Sequence, residues 1–314
     1  MNCINPIPLT IEKKNGRKLK IFADCGHCPA CKEKRKMQWV FRLQEEFKKC
    51  DTAYFVTLTY DDFRLPFFQV THELNELTKK IEKKVVKCSM DCPNAVAGVY
   101  KKDVQNFLKR LRKNVTPKGE KSGIKYFISS EYGPSSLRPH YHAIIFNLPR
   151  YLDAFRVFNE TWQNGFVSVS ELNDARINYT AAYCLNDFIS YYDLLPPNFL
   201  LVSNGMGRNW SDNEHNRDYC SRHQTKVLHF NNLHIPLPRY YIDKIFTYDE
   251  LEEISLQYER ECYSRYYCGN ARYWRDGDDS YFRQLELDRI RNQQRINRLY
   301  QKAKRPKALD KYHT

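Results

Sequence analysis

Two histidines flank a single tyrosine in the stretch SSEYGPSSLRPHYHAIIF, at positions 140 and 142, and Glu131 stands nine residues before the first of them. The run Ala143-Ile144-Ile145-Phe146 reads as a strand entering a core, so side-chain alternation sets His140 and His142 on one face and Tyr141 and Ala143 on the other. The preceding IKYFISSE reads as a second strand, and YGPSSLRP has the glycine, proline and serine content of a loop. Glu131 is therefore expected to face the two histidines across a hairpin. Two imidazoles and a carboxylate converging on one sheet face would make a metal site, and mixed nitrogen and oxygen donors suit Mn²⁺, Mg²⁺ or Zn²⁺. A lone strand histidine is more often a hydrogen-bonded residue than a ligand; the spacing of two and the acid on the next strand separate this pair from that ordinary case.

A second constellation lies in CGHCPACKEKRKMQWVFRLQEEF, where Cys25, Cys28 and Cys31 recur at spacing three. With Cys3 upstream there are four thiolates, enough for a closed tetrahedral site for structural Zn²⁺ that ties the N-terminal segment to a helix start; Cys50 or His27 could replace Cys3. Trp39, Leu43 and Phe47 follow at spacing four and give that helix an apolar stripe. The eleven cysteines are odd in number and unevenly scattered, which fits reduced thiols and metal ligation better than a disulfide framework.

The elements that must position these groups are legible in part. AYFVTLTYDD, from residue 53, reads as a buried strand with Phe55, Val56 and Leu58 apolar and Thr57 and Thr59 on the alternate face. Residues 63–98 read as a loop with short helices and a basic middle, KKIEKKVVKC. KKDVQNFLKRLRKNV reads as a helix, with Asp103 as N-cap, Val104, Phe107, Leu108 and Leu111 turned inward, and Lys109, Arg110, Arg112 and Lys113 on the outer face. YLDAFRVFNETWQNGFVSVSEL reads as a helix and then a strand. ARINYTAAYCLNDFISYY reads as a helix on which Tyr179 and Tyr183 stand one turn apart, a spacing that is usually a packed pair. PPNFLLVSNGMGRNW is loop-rich and HIPLPRYYIDKIF is basic and aromatic. YFRQLELDRIRNQQRINRLYQKAKRP reads as a polar helix with seven basic and no acidic residues between Arg289 and Arg305.

The chain has 314 residues and a formal net charge of +14, room for one large or two modest cores and a charge that favours a polyanionic partner, nucleic acid first. Its 23 tyrosines and 18 phenylalanines provide faces on which bases stack, although such residues also fill cores. No apolar run approaches the length of a membrane span, and MNCINPIPLT is not a secretory signal; the expectation is a cytoplasmic protein without a membrane partner.

Taken in order, these segments resemble the HUH rolling-circle endonucleases, and more closely the replication initiator proteins of gokushovirus-like microviruses. The segments are CGHCPACKEKRKMQWVFRLQEE, YFVTLTYDD, DVQNFLKRLRK, SSEYGPSSLRPHYHAIIF, YTAAYCLNDF, FLLVSNGMGRNW and LPRYY. The resemblance implies an α+β fold, a central antiparallel sheet with flanking helices in which the first strand and the histidine strand lie side by side. It divides the chain into a cysteine-rich zinc-binding segment with its basic helix (1–50), an endonuclease domain (51–200) and a basic C-terminal extension (201–314). It further implies Mg²⁺ or Mn²⁺ on His140 and His142, with Glu131 as the acidic third ligand. A tyrosine would attack a single-stranded DNA origin, leaving a free 3′ hydroxyl and a 5′ phosphotyrosine for later religation. Tyr183 is favoured as first nucleophile and Tyr179 as the second, with Tyr191 or Tyr192 next. In the related pattern lysines stand where this chain has Ala182 and Asn186, so another cation must help ionise the tyrosine. The setting would be the cytoplasm of a bacterial host, with the host's helicase and polymerase as partners.

Two readings compete. A metal-dependent hydrolase of small molecules would need further acidic ligands and no basic C-terminal helix. A non-catalytic, zinc-containing nucleic-acid-binding protein would use the histidines structurally.

Overall fold

The structure is a computed structural model, and it describes residues 3, 7–12, 18–76, 79–133, 136–183, 195–231, 233–254 and 256–257. The expected helix around Arg289–Arg305, Tyr191 and Tyr192 lie outside the described residues. In chain order the elements begin with β1 (Ile7–Glu12), β2 (Lys18–Ala23), α1 (Pro29–Phe47), β3 (Ala53–Thr59), β4 (Phe67–Asn75), β5 (Lys80–Cys88) and β6 (Val96–Ala97). Then come α2 (Lys101–Val115), β7 (Lys125–Tyr132), β8 (Pro139–Phe146), α3 (Ala154–Trp162), β9 (Val167–Glu171) and α4 (Asp174–Tyr183). The last are β10 (Leu200–Val202), α5 (Arg208–Asp212), α6 (Glu214–Arg222), β11 (Val227–Phe230), β12 (Leu233–Pro236) and α7 (Arg239–Ile245).

The chain forms two compact units, Met1–Gln38 with Glu214–Thr314, and Trp39–Asn213. The first contains two antiparallel hairpins, β1–β2 and β11–β12. The second is built on a five-stranded sheet of order β10-β7-β8-β3-β9, in which every neighbouring pair is antiparallel. The expected α+β architecture, with β3 beside the histidine strand β8, is what the chain adopts.

Alternation decides which sheet face is covered by what. Val56, Leu58, Tyr141, Ala143 and Ile128 point to one face and pack with Val104, Phe107, Leu108 and Leu111 of α2 and Phe158 and Trp162 of α3. Burying each such side chain is worth about 1.5–3 kcal/mol relative to leaving it exposed, so this layer makes the sheet a rigid base. The other face carries Phe127 and Ile144, both fully buried, and Trp39 of α1 meets Phe127 edge-on at 5.2 Å. Glu46, almost fully buried, accepts from Lys125 Nζ at 2.8 Å and from the Gly207 backbone N–H at 2.9 Å.

Two local readings are corrected. Asp103 does not cap α2: the N-cap is Tyr100, and Asp103 sits in the first turn, where it accepts from Tyr60 Oη at 3.0 Å. Burial pushes the Asp103 carboxyl up, and a helix-start acid was read as a cap because its tertiary partner lies 43 residues away. The described residues of 63–98 contain no α-helix; they form the long antiparallel hairpin β4–β5, extended by β6. The lysine-rich KKIEKKVVKC looked helical by charge, but Ile81, Lys83, Val85 and Lys87 alternate against Leu74, His72, Val70 and Phe68 in the register of the hairpin.

Candidate metal centre

The triad is assembled by register. Glu131 on β7 pairs with His140 on β8, and His140 pairs in turn with Thr59 on β3; one row further in, Ser129, His142 and Thr57 are paired. Paired residues in an antiparallel sheet present their side chains on the same face. The ligand atoms of Glu131, His140 and His142 all lie within 4.8 Å of one another. Glu131 Oε2 is 3.1 Å from His140 Nε2 and 2.9 Å from His142 Nε2.

Both imidazoles are oriented from behind. His140 Nδ1 lies 3.1 Å from the Arg138 carbonyl, which can only accept, so Nδ1 carries the proton in the neutral ring and Nε2 keeps its lone pair toward Glu131. His142 Nδ1 lies 3.2 Å from Thr57 Oγ1. Phe55 stacks on the His142 ring at 5.5 Å with an interplanar angle of 15°. Arg138 is itself held by Asp62 at 2.7 Å and by the Tyr60 carbonyl at 2.7 Å. Thr57 and the Arg138 carbonyl were not read from sequence as parts of the site. The only signal for Thr57 was its place on the polar face of FVTLTY.

The electrostatics follow from this packing. Burial alone would raise the Glu131 carboxyl, but hydrogen bonds and charge from His140 and His142 outweigh it and hold the group at about 2. Burial opposes protonation of His140, yet Glu131 and the Arg138 carbonyl raise it above the ordinary histidine value. A partly buried carboxylate between two imidazoles, each tied at Nδ1, is a donor set that fits a divalent cation.

Tyr179 on α4 lies against this site. Its ring is 5.2 Å from the His142 ring and 6.2 Å from Phe55, and it is half exposed. Arg176, one turn earlier, lies over Phe55 at 5.9 Å and donates to the Glu171 carbonyl. Tyr183 is the last residue of α4, one turn beyond Tyr179. Asn186 lies outside the described residues.

In the other unit, Cys3, Cys25, Cys28 and Cys31 form the second group whose ligand atoms lie within 4.8 Å of one another. The Cys25 backbone N–H donates to Cys3 Sγ at 3.2 Å and the Cys28 N–H to Cys25 Sγ at 3.3 Å. Those backbone donors, Cys28 and His27, lower the Cys25 thiol to about 6, whereas burial pushes Cys31 up. Pro29 opens α1 immediately after Cys28, so Cys31 lies in the first helical turn, where the helix dipole favours a thiolate. Cys50 is elsewhere, with its Sγ 3.2 Å from the Phe47 carbonyl, and His27 is not a member of the group. Four thiols in this arrangement could hold zinc.

Among the described residues no helix is long and apolar enough to cross a membrane. Residues 53–188 match the family model of replication-associated protein ORF2, a span that holds β3, β7, β8 and α4 and therefore the whole triad. The chain is 30% identical over 200 residues to the replication-associated protein ORF2 of Spiroplasma virus 4, covering 58% of this chain and only 55% of that relative. It is 22% identical over 273 residues to the replication-associated protein VP4 of Bdellovibrio phage phiMH2K, covering 77% and 76% of the two chains. No solved structure matches. The resemblance drawn from the motifs is borne out: the chain is a relative of the phage replication-associated proteins, and its triad-bearing strands lie in the region that the ORF2 family model covers.

Proposed function

We propose that this protein initiates rolling-circle replication of a phage genome by nicking and rejoining single-stranded DNA at the origin. The observation that carries the reading is the conjunction on one sheet face of a Glu131–His140–His142 donor set and a half-exposed tyrosine packed against His142. His140, His142 and Glu131 hold Mg²⁺ or Mn²⁺, which when bound withdraws charge from the scissile phosphate. Tyr179 or Tyr183 Oη attacks phosphorus, the P–O3′ bond breaks, the 3′ oxygen leaves as a hydroxyl after gaining a proton, and the 5′ end stays on the enzyme as phosphotyrosine. The reverse step, attack by a 3′ hydroxyl, rejoins the strand. Two tyrosines one turn apart let a second cut follow while the first still holds DNA. The proximity of Tyr179 to His142 supports it as a nucleophile. Tyr183, one turn further along α4, is the partner.

A free tyrosine hydroxyl has a pKa of about 10, so about one in a thousand is ionised at neutral pH and local positive charge must favour the phenolate. Zn²⁺ on Cys3, Cys25, Cys28 and Cys31 is a structural ion in this scheme.

The test is incubation of the protein with a labelled single-stranded oligonucleotide carrying the phage origin and Mn²⁺, followed by denaturing electrophoresis. A covalent protein–DNA adduct is expected for the wild type and for each single Tyr→Phe variant, and none for Tyr179→Phe with Tyr183→Phe. An adduct in the double variant would move the nucleophile elsewhere. Absence of any adduct from the wild type would leave a non-catalytic nucleic-acid-binding protein.

A further inference from the structure

The row of paired residues that builds the triad does not stop at β3. Just before β9, Phe166 and Thr59 exchange both backbone hydrogen bonds, N–H to carbonyl at 3.0 Å in each direction. That makes them a directly opposed antiparallel pair. Thr59 is paired with His140, and His140 with Glu131. Phe166, Thr59, His140 and Glu131 therefore lie in one row across the sheet with side chains on the same face, and two strand spacings set Phe166 about 10 Å from His140.

Phe166 is 67% exposed, although the backbone beneath it is among the most constrained parts of the sheet. Gly165 has φ +149°, and a Cβ there would meet Asp61 N at 2.3 Å, Thr59 O at 2.5 Å and Tyr60 C at 2.6 Å, so the turn closes on the end of β3 as only glycine permits. The Asp61 N–H donates to the Asn164 carbonyl at 3.0 Å, and Trp162 Nε1 donates to the Thr59 carbonyl at 2.8 Å. Singly exposed phenylalanines are ordinary on protein surfaces. This one combines exposure of its ring, a locked backbone and a place in the triad's own row.

We propose that Phe166 is a stacking platform for a nucleobase of the single-stranded DNA beside the scissile phosphate, which fixes the register in which the strand crosses the metal centre. An aromatic face accepts any base without hydrogen-bond readout, and a ring held about 10 Å from His140 is positioned for a nucleotide next to the one being cut. The neighbouring side chains in the row, Thr59 and His140, are polar. The ring is thus the apolar contact available to a base on that side of the site. The proposal rests on the nicking reading for its biological meaning, but its central observable is binding.

Phe166→Ala should weaken binding of an oligodeoxythymidylate, measured without divalent metal, by roughly five- to hundredfold, the range that loss of one base–aromatic stack produces. Phe166→Trp should restore it. Because stacking neutralises no phosphate, the slope of log affinity against log salt should be unchanged in Phe166→Ala. Phe155→Ala is the control: Phe155 is 55% exposed on α3, which packs on the opposite sheet face, and its loss should leave affinity unchanged. Equal affinity of Phe166→Ala and wild type would overturn the proposal. So would a loss that Phe166→Trp does not rescue, or one accompanied by a lower thermal midpoint, since either marks a structural role. If the wild type forms no covalent adduct while the affinity pattern holds, the nicking reading fails and the stacking site stands.

Discussion

The two groups of metal-type ligands in this chain are built on opposite principles. Cys25, Cys28 and Cys31 come together because seven consecutive residues turn into the start of α1, and backbone N–H groups point at the sulfurs. Glu131, His140 and His142 come together because three strands are in register, and each imidazole is held at Nδ1 by a group outside the donor set. In the first, little besides the ligands defines the local structure. In the second, the sheet between α2, α3 and the opposite layer positions the ligands before any ion arrives. The difference teaches that a metal can be the scaffold's reason to fold at one place and a mere occupant at another.

Metal removal should expose that difference most strongly. A closed thiolate site contributes about 10 kcal/mol or more to local folding, so chelation or Cys31→Ser should release the segment around Cys25 to proteolysis while the sheet of residues 53–171 stays protected. Purified protein without zinc, made under reducing conditions and without chelator, would end the comparison, since the cysteine group would then be a cluster of thiols only.

Next in size is loss of a triad ligand. His140→Ala or His142→Ala should cut nicking by more than about a hundredfold, because several kcal/mol of charge stabilisation leave with the ion. Circular dichroism and the thermal midpoint should barely change, and single-strand affinity should persist. Unchanged cleavage in both variants would remove the metal reading of the triad. Glu131→Gln should be milder, as water can replace one oxygen donor.

A smaller effect is expected behind the ligands. Thr57→Val removes the hydroxyl beside His142 Nδ1 and should weaken Mn²⁺ binding by about tenfold. Raising the Mn²⁺ concentration should restore the nicking rate. A defect that excess metal does not correct would mean that Thr57 acts on the fold.

The smallest effect concerns pH in protein free of Mg²⁺ and Mn²⁺. Glu131 is lowered from 4.5 to about 2, so its contribution to stability is complete above about 4.5 and is lost as pH falls toward 2. His140 is raised from 6.5, so its contribution is complete below about 6.5 and is lost as pH rises through its folded value. The denaturation midpoint of wild type relative to His140→Ala should therefore be highest between about 4.5 and 6.5. A flat difference across that range would show that the three groups are not coupled.

Motifs whose ligands are close in sequence were legible because local geometry alone brings them together. The spacing of Cys25, Cys28 and Cys31, the alternation that aligns His140 with His142, and the hairpin loop that returns Glu131 to them all follow from short-range chain geometry. The inward stripe of α2 followed from its helical period. Contacts across long separations were not legible, because no local rule selects them: Asp103 finds Tyr60, Thr57 finds His142, and the glycine turn before β9 lays Phe166 into the triad's row. The β4–β5 hairpin is the instructive miss. Its charge run resembles a helix face, and only cross-strand pairing, which depends on residues up to 21 positions apart, decides that the segment is extended. Sequence by itself determined which chemical groups are available and which short-range neighbours they have. Tertiary structure decided which groups share a sheet face, because strand register is set by the packing of the whole sheet against its helices and not by any one strand.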